Sequence, residues 1–335
     1  MNENVRVYVP GRREPKVVAI GGGHGLSTML RGLKKHTRNI TAIVTVADDG
    51  GGSGMLREDL GMLPPGDIRN CILALANTEP TMQKLLNYRF TEGSLAGQSF
   101  GNLFLAAMNG ISGSFDEAVH RMGDVLAITG RVLPVTNQDV HLEAEFANGS
   151  RCLGESKIFY AKKVNDCRIK QVRLVPEHPK ALPESLEAIR DADLIVMGPG
   201  SLYTSIIPNF LVDGISEAVA ASRALKIFVM NIMTQDGESD GYTGADHVQA
   251  LLRHALPGIV DVCIANNAPV SEEVLAPYRQ EGVEPLRLER AAIEAMGIEV
   301  REYPLATGHR YIRHDSFALA KALMEVYREK LTMDN

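Results

Sequence analysis

Residues Lys16-Val17-Val18-Ala19-Ile20 form an apolar, β-branched run that enters Gly21-Gly22-Gly23-His24-Gly25, and a helical pattern begins at once with Leu26-Ser27-Thr28-Met29-Leu30. Strand, glycine turn and helix start in so short a space is the geometry that holds a phosphate. Glycines let the backbone approach closely, and the first-turn N–H groups face the anion with the helix dipole behind them. The dinucleotide fingerprint is not met, because Leu26 stands where its third glycine belongs, and no Gly-Lys-Ser/Thr follows as in a P-loop. A tight β–α connection has a similar composition, so this turn alone leaves both readings open.

The rest of the chain supports an α/β protein with a mostly parallel sheet. After the strand Lys16–Ile20 come a helix over Leu26–Lys35 and a strand over Ile40–Val46. Asp48 to Gly54 reads as a glycine-rich loop. Four helical patterns follow around Asp67–Ala76, Pro80–Tyr88, Phe100–Met108 and Phe115–Leu126, the last opened by the capping box Ser114-x-x-Glu117. From Arg131 the character changes. Val140 to Phe146 alternates, Asn148-Gly149 signals a hairpin, and Cys152 to Phe159 reads as extended. Strands then recur at Asp193–Met197, Lys226–Asn231 and Val260–Ala265, and a helix over Ser316–Lys330 closes the pattern. Strands separated by helices imply right-handed crossovers. The expected organisation is an N-terminal extension over 1–15 and one α/β domain over 16–335. A helical insertion occupies about 64–130 and a β insertion about 131–178.

Composition narrows the class. The 335 residues are 45% hydrophobic and carry a net charge of −6 with mixed signs, which argues against a nucleic-acid partner. Cys71, Cys152, Cys167 and Cys263 form no Cys-x-x-Cys pair, which fits a reducing compartment. No signal segment or membrane-length apolar run is visible, so a cytoplasmic protein is expected.

Ligands of open α/β sheets bind beyond the carboxyl ends of the strands. Here those ends carry Gly21–Gly25, Asp48–Gly54, Gly198–Ser201, Asn231–Gln235 and Asn266-Asn267. Asp48 suits a ribose hydroxyl, Asp48 with Asp49 suits a divalent cation such as Mg²⁺, and both also suit simple loop capping. Asp67, Arg69 and Asn70 open a helix where they cap it or meet an anion. Gly198, Gly200, Ser201, Tyr203 and Thr204 form a second turn with amides and hydroxyls. His24 lies in the first turn, whereas His247, His254 and His309 read as ordinary surface or core residues. No Ser/His/Asp order or zinc spacing occurs.

These blocks resemble a known family. Ile20-Gly-Gly-Gly-x-Gly-Leu26, Val44-Thr-Val-Ala-Asp-Asp-Gly-Gly51, Pro65-Gly-Asp-Ile-Arg-Asn70 and Gly101-Asn-Leu103 are similar to those of the YvcK-like gluconeogenesis factors of bacteria. So are Met197 to Asn209, Asp246-His-Val248 and Ile312-Arg-His-Asp315. The resemblance runs from about Lys16 to the C-terminus. It implies a Rossmann-like core, shared with 2-phospho-L-lactate transferase, which handles a guanosine nucleotide. It further implies a cytoplasmic protein needed for cell shape and wall synthesis on gluconeogenic carbon sources. Its expected ligand is a UDP-sugar, notably UDP-N-acetylglucosamine, and its expected partners are a wall-synthesis protein and a second copy of itself. Ligand contacts then fall on Gly21–Gly25, the Gly198–Ser201 turn, Tyr278 as a stacking platform and Arg313 as a diphosphate clamp. Gly52 replaces a serine usual in the family, which removes one hydroxyl from the rim. A metal-dependent phosphotransferase using Asp48 or Asp49 is the competing expectation, and a nicotinamide-dependent oxidoreductase is a third.

Overall fold

The computed structural model describes residues 13–308 and 311–333. The expected N-terminal extension therefore falls mostly outside the described residues, as does His309. Arg13 is the first described residue and pairs with Asp193 at 2.8 Å.

Strands β1 (Val17–Gly21) and β2 (Ile40–Val44) are buried at every position, as parallel strands covered on both faces must be. Between them runs α1 (Gly23–Leu33). After β2 come α2 (Gly51–Leu60), α3 (Gly66–Leu75), α4 (Pro80–Asn87), α5 (Phe100–Gly110) and α6 (Phe115–Val125). Strand β3 (Arg131–Pro134) follows. A small antiparallel sheet is then built from β4 (His141–Phe146), β5 (Arg151–Leu153) and β6 (Ile169–Val175), with α7 (Glu155–Asn165) between the last two. The strands β7 (Leu194–Met197), β8 (Leu225–Val229), β9 (Val262–Asn266) and β10 (Glu299–Tyr303) complete the large sheet.

The large sheet has the order β10-β9-β8-β7-β1-β2-β3, and every pair in it is parallel. The chain winds outward from β1 through β2 to β3, then returns to place β7 on the other side of β1. That reversal opens a crevice between the carboxyl ends of β1 and β7. Among the described residues no helix is long and apolar enough to cross a membrane.

Three sequence readings change. Residues 155–159 are helical rather than extended: Gly154, at φ +112°, ends β5, and Asp49 accepts the first amides of α7. Gly51–Gly54 is the first turn of α2, not loop. Strand β3 belongs to the large sheet beside β2, so the antiparallel unit begins only at β4. The capping box at α6 is half made. Ser114 Oγ accepts the Glu117 amide at 3.4 Å, but the Glu117 carboxylate takes the Gly113 amide instead.

Candidate functional site

A cleft of about 260 Å³ opens at the reversal point, and His24, Gly25, Gly200, Ser201, Asn231 and Arg313 all line it. The two glycine turns form its walls back to back. A Cβ on Gly25 would come within 2.7 Å of the Pro199 carbonyl carbon, and one on Gly22 within 2.7 Å of Asp67 Oδ2. The Gly25 approach is to fixed backbone, which glycine alone permits. Gly21 ends β1 and its carbonyl accepts from Asn209 Nδ2 at 3.2 Å, while Gly198 donates to the Ile20 carbonyl at 2.9 Å. Across the opening, Asn231 Oδ1 receives the Gly200 amide at 3.4 Å and Ser201 Oγ donates to Gln235 at 2.7 Å.

The upper rim is basic. Arg313 is exposed on the short strand Arg313–His314. The His24 imidazole is held below its ordinary pKa, first by desolvation and then by the charges of Arg313, Arg69 and Arg31, which gather around it. Next to Arg313, His314 is buried and bonds the Met230 carbonyl at 3.1 Å through Nε2. Burial pushes its pKa down to about 4, so it stays neutral and donates that bond. Tyr278 stands behind this strand. Its hydroxyl accepts the Ile312 amide at 2.8 Å, so it positions Arg313's neighbour.

The floor toward β2 is acidic. Asp67 accepts the Gly23 amide, and desolvation followed by the nearby Asp48 charge raises it to about 7. Burial raises Asp48 as well, although Gly50 donates to it at 2.9 Å and Ser53 supports it. Asp49 faces away from Asp67 and takes the Glu155 and Ser156 amides at 3.1 and 2.8 Å. Glu155 is pushed up to about 8 by desolvation and then by Asp48 and Asp49. Arg69 is buried, its Nε without a hydrogen-bond partner, and Asn70 follows it half-buried on the same turn. Among the described residues no three His, Cys, Asp or Glu side chains converge as a cation cage. Asp48 and Asp67 do fit a hydrated Mg²⁺ carried in with phosphates, because a cation offsets the desolvation and the neighbouring Asp48 charge that raise Asp67.

The structure thus brings together the two glycine turns, Asn231 and Arg313, with Asp48, Asp67, Arg69 and Asn70 on the adjoining side. Tyr203 does not face the cleft. It is fully buried, with its hydroxyl 2.9 Å from that of Tyr242. The Thr204 amide, like that of Tyr203, is directed at Glu238. His247 and His254 are packed against the Tyr203–Tyr242 pair, each bonded to the carbonyl four residues back. Glu155 and Glu238 carry no sequence signal, since each is an isolated polar residue whose partners are distant along the chain, whereas Gln235 belongs to the polar strand end Asn231–Gln235. A larger cavity of about 490 Å³ lies between α6 and the edge strand β3. Neither the Gly21–Gly25 turn nor the Gly198–Ser201 turn lines it, so chemistry rather than volume selects the smaller cleft.

Fold and cleft together define a doubly wound α/β protein that gathers glycine turns, a basic rim and raised carboxylates at one switch point. The family model described as 2-phospho-L-lactate transferase CofD matches residues 17–306. A protein of Thermoanaerobacterium thermosulfurigenes is 58% identical over 92% of this chain and 96% of its own length. The gluconeogenesis factor of Bacillus subtilis is 46% identical over 95% of this chain and 99% of its own. A crystal structure of a UPF0052 family member from Bacillus halodurans superposes with a TM-score of 0.89 at 44% identity, over 93% of this chain and 100% of that one. The chain belongs to the CofD family, and within it to the YvcK-like gluconeogenesis factors.

Proposed function

We propose that this chain is a cytoplasmic regulatory protein that binds a UDP-sugar, UDP-N-acetylglucosamine or a close analogue, across the strand ends. Through that ligand it tunes a wall-synthesis partner and so cell shape during growth on gluconeogenic carbon. The observation that carries the reading is the meeting of Gly25 and Gly200 under Arg313, an amide-lined cleft with a guanidinium at its mouth. Arginine matches a diphosphate through paired donors, and backbone amides approach it without steric cost. Titration calorimetry with UDP-N-acetylglucosamine, with and without Mg²⁺, followed by chromatography of the recovered ligand, tests it. Binding with intact ligand supports a sensor. Arg313→Ala weakens that binding by about 10- to 100-fold, the worth of a charged hydrogen bond. Absence of heat with any UDP-sugar sinks the reading.

A second reading rests on the Asp48–Asp67 pair. Two desolvated carboxylates beside a glycine turn, one raised to about 7, are the kind of environment found where proton or phosphoryl transfer occurs. Bound Mg²⁺ would supply charge neutralisation for a transferring phosphoryl group. Asp48 and Asp67 would orient it, and Arg69 and Arg313 would hold the phosphates. Metal-dependent cleavage of the recovered ligand, abolished by Asp48→Asn, is the result that favours this reading over the sensor.

A further inference from the structure

The turns after β1 and after β7 look alike in sequence, both glycine-rich and both opening a helical segment. They differ in what occupies their amides. Glu238, only 3% exposed, reaches over from the segment that follows β8, and the Tyr203 N–H donates to its Oε1. The Thr204 amide leans on the same carboxylate, whose second oxygen makes no well-formed bond of its own. Two successive amides converging on a carboxylate reproduce the way a backbone turn receives a phosphate oxygen.

The carboxylate is held there. Gln235 accepts from Ser201 at 2.7 Å, and its amide donates to Ser239 at 3.0 Å. Lys163 pairs with Asp236 at 2.6 Å, and the Phe159 ring presses on Gly237. Ser201 and Gln235 line the cleft, so the filled cradle lies one side chain away from it. At the β1 turn the arrangement is different. Asp67 takes only the Gly23 amide, and His24 and Gly25 continue the turn along the cleft beside Arg313.

We propose that Glu238 is a specificity-determining residue: it fills the Tyr203–Thr204 amide cradle in the ligand's place and directs a ligand's diphosphate to the His24–Gly25 turn and Arg313. With its amides already taken by Glu238, the Gly200–Ser201 side is left to the neutral, hydroxyl-bearing part of the ligand. The assignment rests on the nucleotide-sugar reading of the cleft, but the cradle itself can be probed without any nucleotide.

The probe is inorganic pyrophosphate, titrated into the full chain by calorimetry and followed by amide resonances. Glu238→Ala opens the cradle and binds pyrophosphate about tenfold more tightly than the unaltered chain, with Tyr203 and Thr204 resonances moving. Glu238→Gln keeps an acceptor on the Tyr203 amide and stays within about threefold of the unaltered chain. In the unaltered chain pyrophosphate moves His24 and Gly25 and leaves Tyr203 and Thr204 in place, a measurement that stands even if the alanine variant does not fold. Equal affinity in a folded Glu238→Ala overturns the proposal, and so do unaltered-chain shifts centred on Tyr203 and Thr204 or absent from His24 and Gly25. Gain of pyrophosphate by Glu238→Ala in a chain that binds no UDP-sugar removes the nucleotide-sugar reading and leaves the cradle role of Glu238 standing.

Discussion

Gly25 shows how one residue serves packing and site together. Its missing side chain lets the first turn of α1 rest against the Pro199–Gly200 backbone, and that contact is also the cleft wall. Gly25→Ala forces a methyl into backbone that cannot rotate aside. We expect a loss of about 1–3 kcal/mol in urea unfolding, the usual cost of overpacking, together with loss of ligand binding. Such glycines are legible in the sequence because they cluster between an apolar strand and a helical pattern, although the backbone that crowds Gly25 is distant along the chain. Glu238 is not. Its segment, Gln235-Asp-Gly-Glu-Ser-Asp-Gly241, reads as a solvated acidic loop, and only the fold brings it to the Tyr203 amide. Tyr203 failed in the opposite sense. It sits inside a motif that resembles a ligand turn, but its ring fills the core between β6 and the helix Gly244–His254.

At the scale of elements, the parallel strands with apolar runs were readable, since each carries its burial in its own composition. The exceptions have tertiary causes. Gly51-Gly52-Ser53-Gly54 has poor helix propensity, yet it forms the first turn of α2 because Gly54 packs onto the Asp49 carbonyl and Gly52 against Gln98. Glu299-Val-Arg-Glu-Tyr303 has no apolar run to mark it as a strand; it is an edge strand in which Val300 alone is buried, laced by Arg301–Glu329 and Lys330–Glu299 ion pairs. Helix α7 begins where its sequence offers no cap, because Asp49 supplies one from the loop after β2. Asp49→Ala therefore costs about 0.5–2 kcal/mol of stability by thermal or urea unfolding, the range for a lost cap, although residue 49 lies outside the helix.

For the whole molecule, the site's carboxylates set a pH dependence. Asp67 and Glu155 are raised to about 7 and about 8, above their unfolded values. From roughly pH 4 up to those values the folded chain binds more protons than the unfolded one, so stability falls as pH rises through that window. Asp67→Asn removes one of these ionisations. Its melting temperature relative to the unaltered chain should climb between pH 5 and pH 8, and a constant difference would contradict the assignment. His314 acts in the other direction. Its folded pKa of about 4 lies below the unfolded value, so stability is lost as pH falls from roughly 6.5 toward 4.

The strand order carries one more consequence, a kinetic one. Val17 of β1 lies opposite Ile40 on one side and Leu194 on the other, so the crevice between β1 and β7 closes only after most of the chain has been threaded past it. Pairings so remote in sequence form late, because loop-closure entropy must be overcome before they contribute. The cleft is thus a late product of assembly. During refolding, the capacity to hold a ligand should emerge with the final phase and not with the earlier gain of helix, making occupancy a readout of completed folding.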